Sequence, residues 1–115
     1  MKTDKYVVHY DDLRQRVYLI VGDMGLPFSI EDSNKIIDSI RTYEVRKKLM
    51  EFPNRIAAGS YMINSVGIRF DYYDHPVSLI LGKEGLIELA DKFADCVAMY
   101  NLRLSNREHN LERQL

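Results

Sequence analysis

From Leu86 onward, apolar residues recur at alternating steps of four and three: Leu86, Ala90, Phe93, Val97, Tyr100 and Leu104. That spacing winds into one continuous helical face and does not fit a strand, whose side chains alternate with a period of two. Leu89, Ala94 and Ala98 widen the face enough to pack on a sheet, while Glu88, Asp91, Lys92 and Asp95 mark the wet side. The spacing predicts a helix from Lys83 to about Asn106, roughly 35 Å long at 1.5 Å per residue. Leu111 and Leu115 continue the stripe thinly, with Glu108 falling on it. Residues 106–115 are therefore expected either to fray or to pair with a second copy.

A long amphipathic helix needs something to cover its apolar face, and the rest of the chain offers strands. Tyr6–Tyr10 and Val17–Val21 are β-branched and aromatic, with polar Asp11–Arg16 between them as a hairpin loop. A helical alternative competes here, because Leu13, Val17, Ile20, Val21 and Met24 also fall on one helical face. Gly22–Pro27 reads as a turn-rich break. Ser29 followed by Asp32 approximates a capping box, and Ile36, Ile37, Ile40, Val45, Leu49 and Phe52 keep helical spacing until Pro53 stops it. Thr42 could cap a second, shorter helix within that stretch.

From Tyr61 to Tyr73 the period becomes two, with Val66, Ile68, Phe70 and Tyr72 set against Gly67, Arg69, Asp71 and Tyr73. Asp74-His75-Pro76 forms a turn, and Val77–Leu81 suits a buried partner strand. The expected architecture is α+β: a small antiparallel sheet from two hairpins packed on one face by helices, in the order ββα(α)ββα. No repeat is read in this order, since the two helices share no residue pattern beyond amphipathicity.

The chain has 115 residues, the size of a single domain, and its 46% apolar and 29% charged composition is that of a folded globular chain. A net charge of -1 supplies no global field toward nucleic acid or anionic lipid. Cys96 is the only cysteine, so no intramolecular disulfide forms, and a reducing, cytoplasmic setting is expected. No stretch has a signal peptide's apolar region or the roughly 20 apolar residues of a membrane span, so no membrane association is expected.

Four groups of residues carry functional interest. His9 and Asp11 at one hairpin, with Asp71, Asp74 and His75 at the other, are types that ligate a transition metal if the two turns meet. Turn chemistry explains the same residues without an ion, and neither spacing is a ligand motif. Arg41, Arg46, Lys47, Lys48 and Arg55 form the basic cluster, interleaved with Glu44 and Glu51, and could follow a phosphate backbone. Cys96 lies mid-helix, without the cation or helix N-terminus that activates a nucleophile. Tyr61, Tyr72, Tyr73 and Tyr100 supply contact area at little rotamer entropy. Phosphate-binding glycine loops are absent, and no cofactor or catalytic residue is expected. The reading is a small non-catalytic protein-binding protein of the inhibitor, immunity or regulatory type. A small-ligand-binding oligomer and a nucleic-acid binder using the basic cluster are the alternatives.

Overall fold

A computed structural model describes residues 1–46, 54–56, 59–72 and 75–114. The elements run β1 (Lys2–Thr3), β2 (Val7–Asp11), β3 (Arg16–Val21), β4 (Met24–Phe28), α1 (Ile30–Arg46), β5 (Asn54–Ile56), β6 (Gly59–Ile63), β7 (Gly67–Tyr72), β8 (His75–Ile80) and α2 (Gly82–Gln114). The class is α+β, as expected, with the strands divided between two sheets. One is three-stranded in the order β2-β3-β4, and the other is five-stranded in the order β1-β8-β7-β6-β5, with β1 parallel to β8.

The helical alternative over residues 13–24 gives way to strands because alternation buries the right set. Val17, Leu19 and Val21 all point into the core. Residues 22–27 are not a break. Gly22 and Asp23 form a two-residue loop, Gly22 taking a φ of 60°, and the chain returns at once as β4 with Val21 paired to Met24. Leu26 and Phe28 are buried and alternate with Gly25 and Pro27, a pattern that a glycine and a proline disguise. Proline is tolerated because β4 is an edge strand.

The expected cap is present. Ser29 Oγ accepts a hydrogen bond from the Asp32 amide at 3.0 Å, and the buried Ser33 hydroxyl donates to the Ser29 carbonyl at 2.8 Å. Helix α1 then runs through Thr42 without a joint. Its expected continuation toward Phe52 lies outside the described residues. Ser29→Ala should lower unfolding free energy by about 1 kcal/mol, read as a shifted urea midpoint with unchanged slope.

The alternating stretch expected as one strand from residue 61 to 73 is two strands. Asn64 Oδ1 accepts from the Val66 and Gly67 amides at 2.9 and 3.0 Å, turning the chain between β6 and β7. The parity of the buried residues records the break: Tyr61 and Ile63 are odd, Ile68 and Phe70 even. One uninterrupted strand cannot bury both sets on one face.

A three-stranded meander followed by a helix thus occurs twice, as β2-β3-β4-α1 and β6-β7-β8-α2. The pairs Val17–Phe28, Leu19–Leu26 and Val21–Met24 have counterparts in Ile68–Leu79, Phe70–Val77 and Tyr72–His75. Buried Ser33, Ile36, Ile37 and Ile40 on α1 have the same spacing as Leu86, Leu89, Ala90 and Phe93 on α2. The connectivity repeats although the residues do not, because burial spacing constrains the position of an apolar side chain more than its identity.

The helices pack on each other, and each touches strands of both sheets. Phe28 of the smaller sheet meets Phe70 of the larger one at 5.6 Å between ring centroids and Phe93 of α2 at 5.3 Å. Helix α2 spans 33 residues, about 50 Å at 1.5 Å per residue, and accounts for the longest dimension of 52 Å. It continues past the expected stop near Asn106, since neither glycine nor proline interrupts residues 86–114, and residues 101–109 are all exposed.

Candidate functional site

The tyrosines proposed from sequence as contact residues do not form a common surface among the described residues. Tyr61 is 1% exposed, and its hydroxyl lies 2.6 Å from Ser39 Oγ and 3.3 Å from the Lys35 carbonyl, to which it donates. It is a core residue whose polar end is satisfied by α1, and burial raises its pKa above the ordinary phenol value. Tyr72 and Tyr100 are half-buried against the core. Tyr73 lies outside the described residues.

The basic cluster is only partly described: Lys47 and Lys48 lie outside, and Arg46 and Arg55 fall at the end of α1 and in β5. Arg41 is exposed and reaches Asp91 Oδ1 of α2 at 3.5 Å, a surface ion pair of small energetic weight. The polar hairpin residues separate. His9 and Asp11 belong to the three-stranded sheet and Asp71 and His75 to the five-stranded one. Asp11 binds Arg14, and Asp71 accepts from Arg69 Nε at 3.0 Å. Asp74 lies outside the described residues. Among the described residues no group of three or more His, Cys, Asp or Glu is placed to hold a metal ion. The Cys96 thiol is 7% exposed, and burial, helped by the Asp95 charge, pushes its pKa up, away from the thiolate a nucleophile needs.

A cleft of about 440 Å³ opens where the β1–β2 connection meets the end of β8 and the first turns of α2. Three of its polar side chains, Tyr6, Glu88 and Lys92, contact one another. Lys92 Nζ lies 3.3 Å from Glu88 Oε1 and 4.7 Å from the centre of the Tyr6 ring. The Glu88 hydrogen bond raises the Lys92 pKa, and burial raises that of Tyr6.

The outer faces of the two sheets differ in their charge. On the larger sheet, one row across the strands is Met62, Arg69, Ser78 and Lys2, the next on one side is Ser60, Asp71 and Pro76, and the next on the other holds Gly67 and the exposed Ile80, so apolar and charged groups alternate. On the smaller sheet the rows are Val7, Ile20 and Gly25, then His9, Tyr18 and Pro27, with Asp11 and Arg16 forming a charged end. Val7 is 58% exposed and Ile20 36% exposed, side by side, with no formal acid or base in their row or the next except His9. This face was missed from sequence because it needs β4 beside β3. The available signal was alternation: Ile20 lies between buried Leu19 and Val21, and Val7 between half-buried Tyr6 and Val8.

Compared with protein-family models, characterised proteins and solved structures, the chain matches none. Among the described residues, no helix is long and apolar enough to cross a membrane.

Proposed function

We propose that this chain is a non-catalytic protein-binding domain, of the inhibitor, immunity or regulatory accessory type. In this reading it meets its partner through the outer face of β2-β3-β4. The observation that supports it is the apolar pair Val7 and Ile20 flanked by Tyr18 and Pro27 on a sheet face that points away from the core. Apolar side chains placed contiguously on a flat scaffold lose water on contact, whereas the paired charges of Arg69 and Asp71 on the other sheet have little to gain. A single buried thiol suits a cytoplasmic setting for such a protein.

The test is recovery of the co-purified partner from the native host. Ile20→Lys should reduce recovery at least tenfold, a loss of about 1.4 kcal/mol or more, with an unchanged circular dichroism spectrum. Ser78→Lys, on the outer face of the larger sheet, should leave recovery intact. Equal recovery with both variants would remove this face from the binding reaction.

A further inference from the structure

We infer that the outer face of the larger sheet carries a binding site for a small phosphate monoester with a short apolar body. The site lies on the sheet that the partner-binding reading leaves aside, so the two stand or fall separately.

A cleft of about 280 Å³ lies where β1, β8 and β7 meet the turn that precedes β7. Four of its side chains bring hydrogen-bond donors: Lys2, Asn64, Arg69 and Ser78. Register sets three of them in one row, with Ser78 on β8 flanked by Arg69 on β7 and Lys2 on β1. The two cations thus start from α-carbons about 10 Å apart, two strand spacings, astride the serine. Both side chains are long enough to meet one group bound over Ser78. Asn64 comes from the turn. Its Oδ1 accepts from the Val66 and Gly67 amides, so its Nδ2 is the end left to donate to a ligand. The Val66 carbonyl accepts from the Leu81 and Gly82 amides, which pins the turn to the end of β8 before any ligand arrives.

Charge selects the ligand. Among the described residues no carboxylate lines the cleft, and the side-chain donors of Lys2, Asn64 and Ser78 bond to no acceptor of the chain. Arg69 gives Nε and Nη2 to Asp71 Oδ1, both at 3.0 Å, and keeps Nη1. Four donor groups converging on one position suit the three terminal oxygens of a phosphate monoester better than the two of a carboxylate. The larger cleft beside Tyr6 lacks this imbalance, since Asp4 and Glu88 stand there against Lys5 and Lys92.

The apolar part follows from the neighbouring row. Ile80 and Val66 line the same cleft and are 43% and 48% exposed, so an apolar group attached to the phosphate would remove both from water. At about 30 Å³ per water the cleft has the volume of about nine waters, room for a phosphate and a phenyl ring but not for a nucleotide. Asp71 offsets part of the Arg69 charge and the cleft is open, so the expected dissociation constant is on the order of 1 mM.

Titration of the isotope-labelled full chain with phenyl phosphate, followed by amide chemical shifts, should move Gly67, Ile68, Ser78 and Leu79 along one saturating curve. Inorganic phosphate should act at the same amides about fivefold or more weakly, and phenol should leave them in place. Lys2→Gln should weaken phenyl phosphate about fivefold or more, while Arg41→Gln, the same loss of charge on α1, should not change it. Ile80→Ser should remove the advantage of phenyl phosphate over inorganic phosphate. The absence of a saturating shift at these amides up to about 20 mM phenyl phosphate overturns the inference. So does equal binding of phenol, which would leave only an apolar patch. An equal loss in Lys2→Gln and Arg41→Gln also overturns it, since that reports the charge of the whole molecule and not this cleft.

Discussion

Phe28→Ala should cost about 4 kcal/mol of folding stability, a large share of the 5–15 kcal/mol typical of a domain. Phe28 is fully buried on β4, and its ring meets Phe70 and Phe93 edge-on, at interplanar angles of 66° and 88°. These contacts tie the smaller sheet to the larger one and both to α2. Truncation removes the transfer free energy of the ring and leaves a cavity that three separate elements would have to move together to fill. At a urea slope of about 2 kcal/mol per molar, the midpoint should fall by about 2 M. The loss should appear as one transition by both fluorescence and circular dichroism, because the two meander-helix units share one core. Two separated transitions, or a shift under about 0.5 M, would show that the halves fold independently of this contact.

Gly67→Ala should be among the most damaging changes that add a single methyl group, at about 3 kcal/mol. A β-carbon at Gly67 would lie 1.8 Å from the Leu79 carbonyl oxygen and 3.1 Å from the Leu81 amide nitrogen. These neighbours are backbone, so no rotamer change relieves the clash, and β7 would have to move away from β8. That movement reaches the start of α2. The Val66 carbonyl, one residue away, accepts from both the Leu81 amide at 2.9 Å and the Gly82 amide at 2.8 Å. Amide hydrogen exchange at Leu81 and Gly82 should therefore accelerate in the variant well beyond the change at Leu19 in the smaller sheet. Uniform acceleration across both sheets would mean that the substitution lowers global stability without loosening this junction.

Three features of the fold could be read from spacing alone. The stripe from Leu86 to Leu104 became α2, the β-branched segments around Tyr10 and Val17 became β2 and β3, and Ser29 with Asp32 marked the start of α1. In each the signal is local, because periodicity and capping involve side chains within a few residues of one another. Local rules misjudged Gly22–Pro27, where breaker residues concealed an edge strand. They also merged β6 with β7, although the parity change between Ile63 and Ile68 was there to be read.

The candidate surface shows where local information stops. Tyr61 looked like a contact residue, yet α1 supplies a hydroxyl and a carbonyl that satisfy its phenol, so the aromatic ring goes inside. Val7 and Ile20 each looked like an ordinary strand residue. They become one apolar patch only because β2 pairs with β3 in the register that sets them opposite each other. Amphipathic period, caps and turn residues specify which side of an element turns inward. Which side chains then share the outward face depends on strand order and register, and these arise from contacts between segments that the linear spacing does not relate.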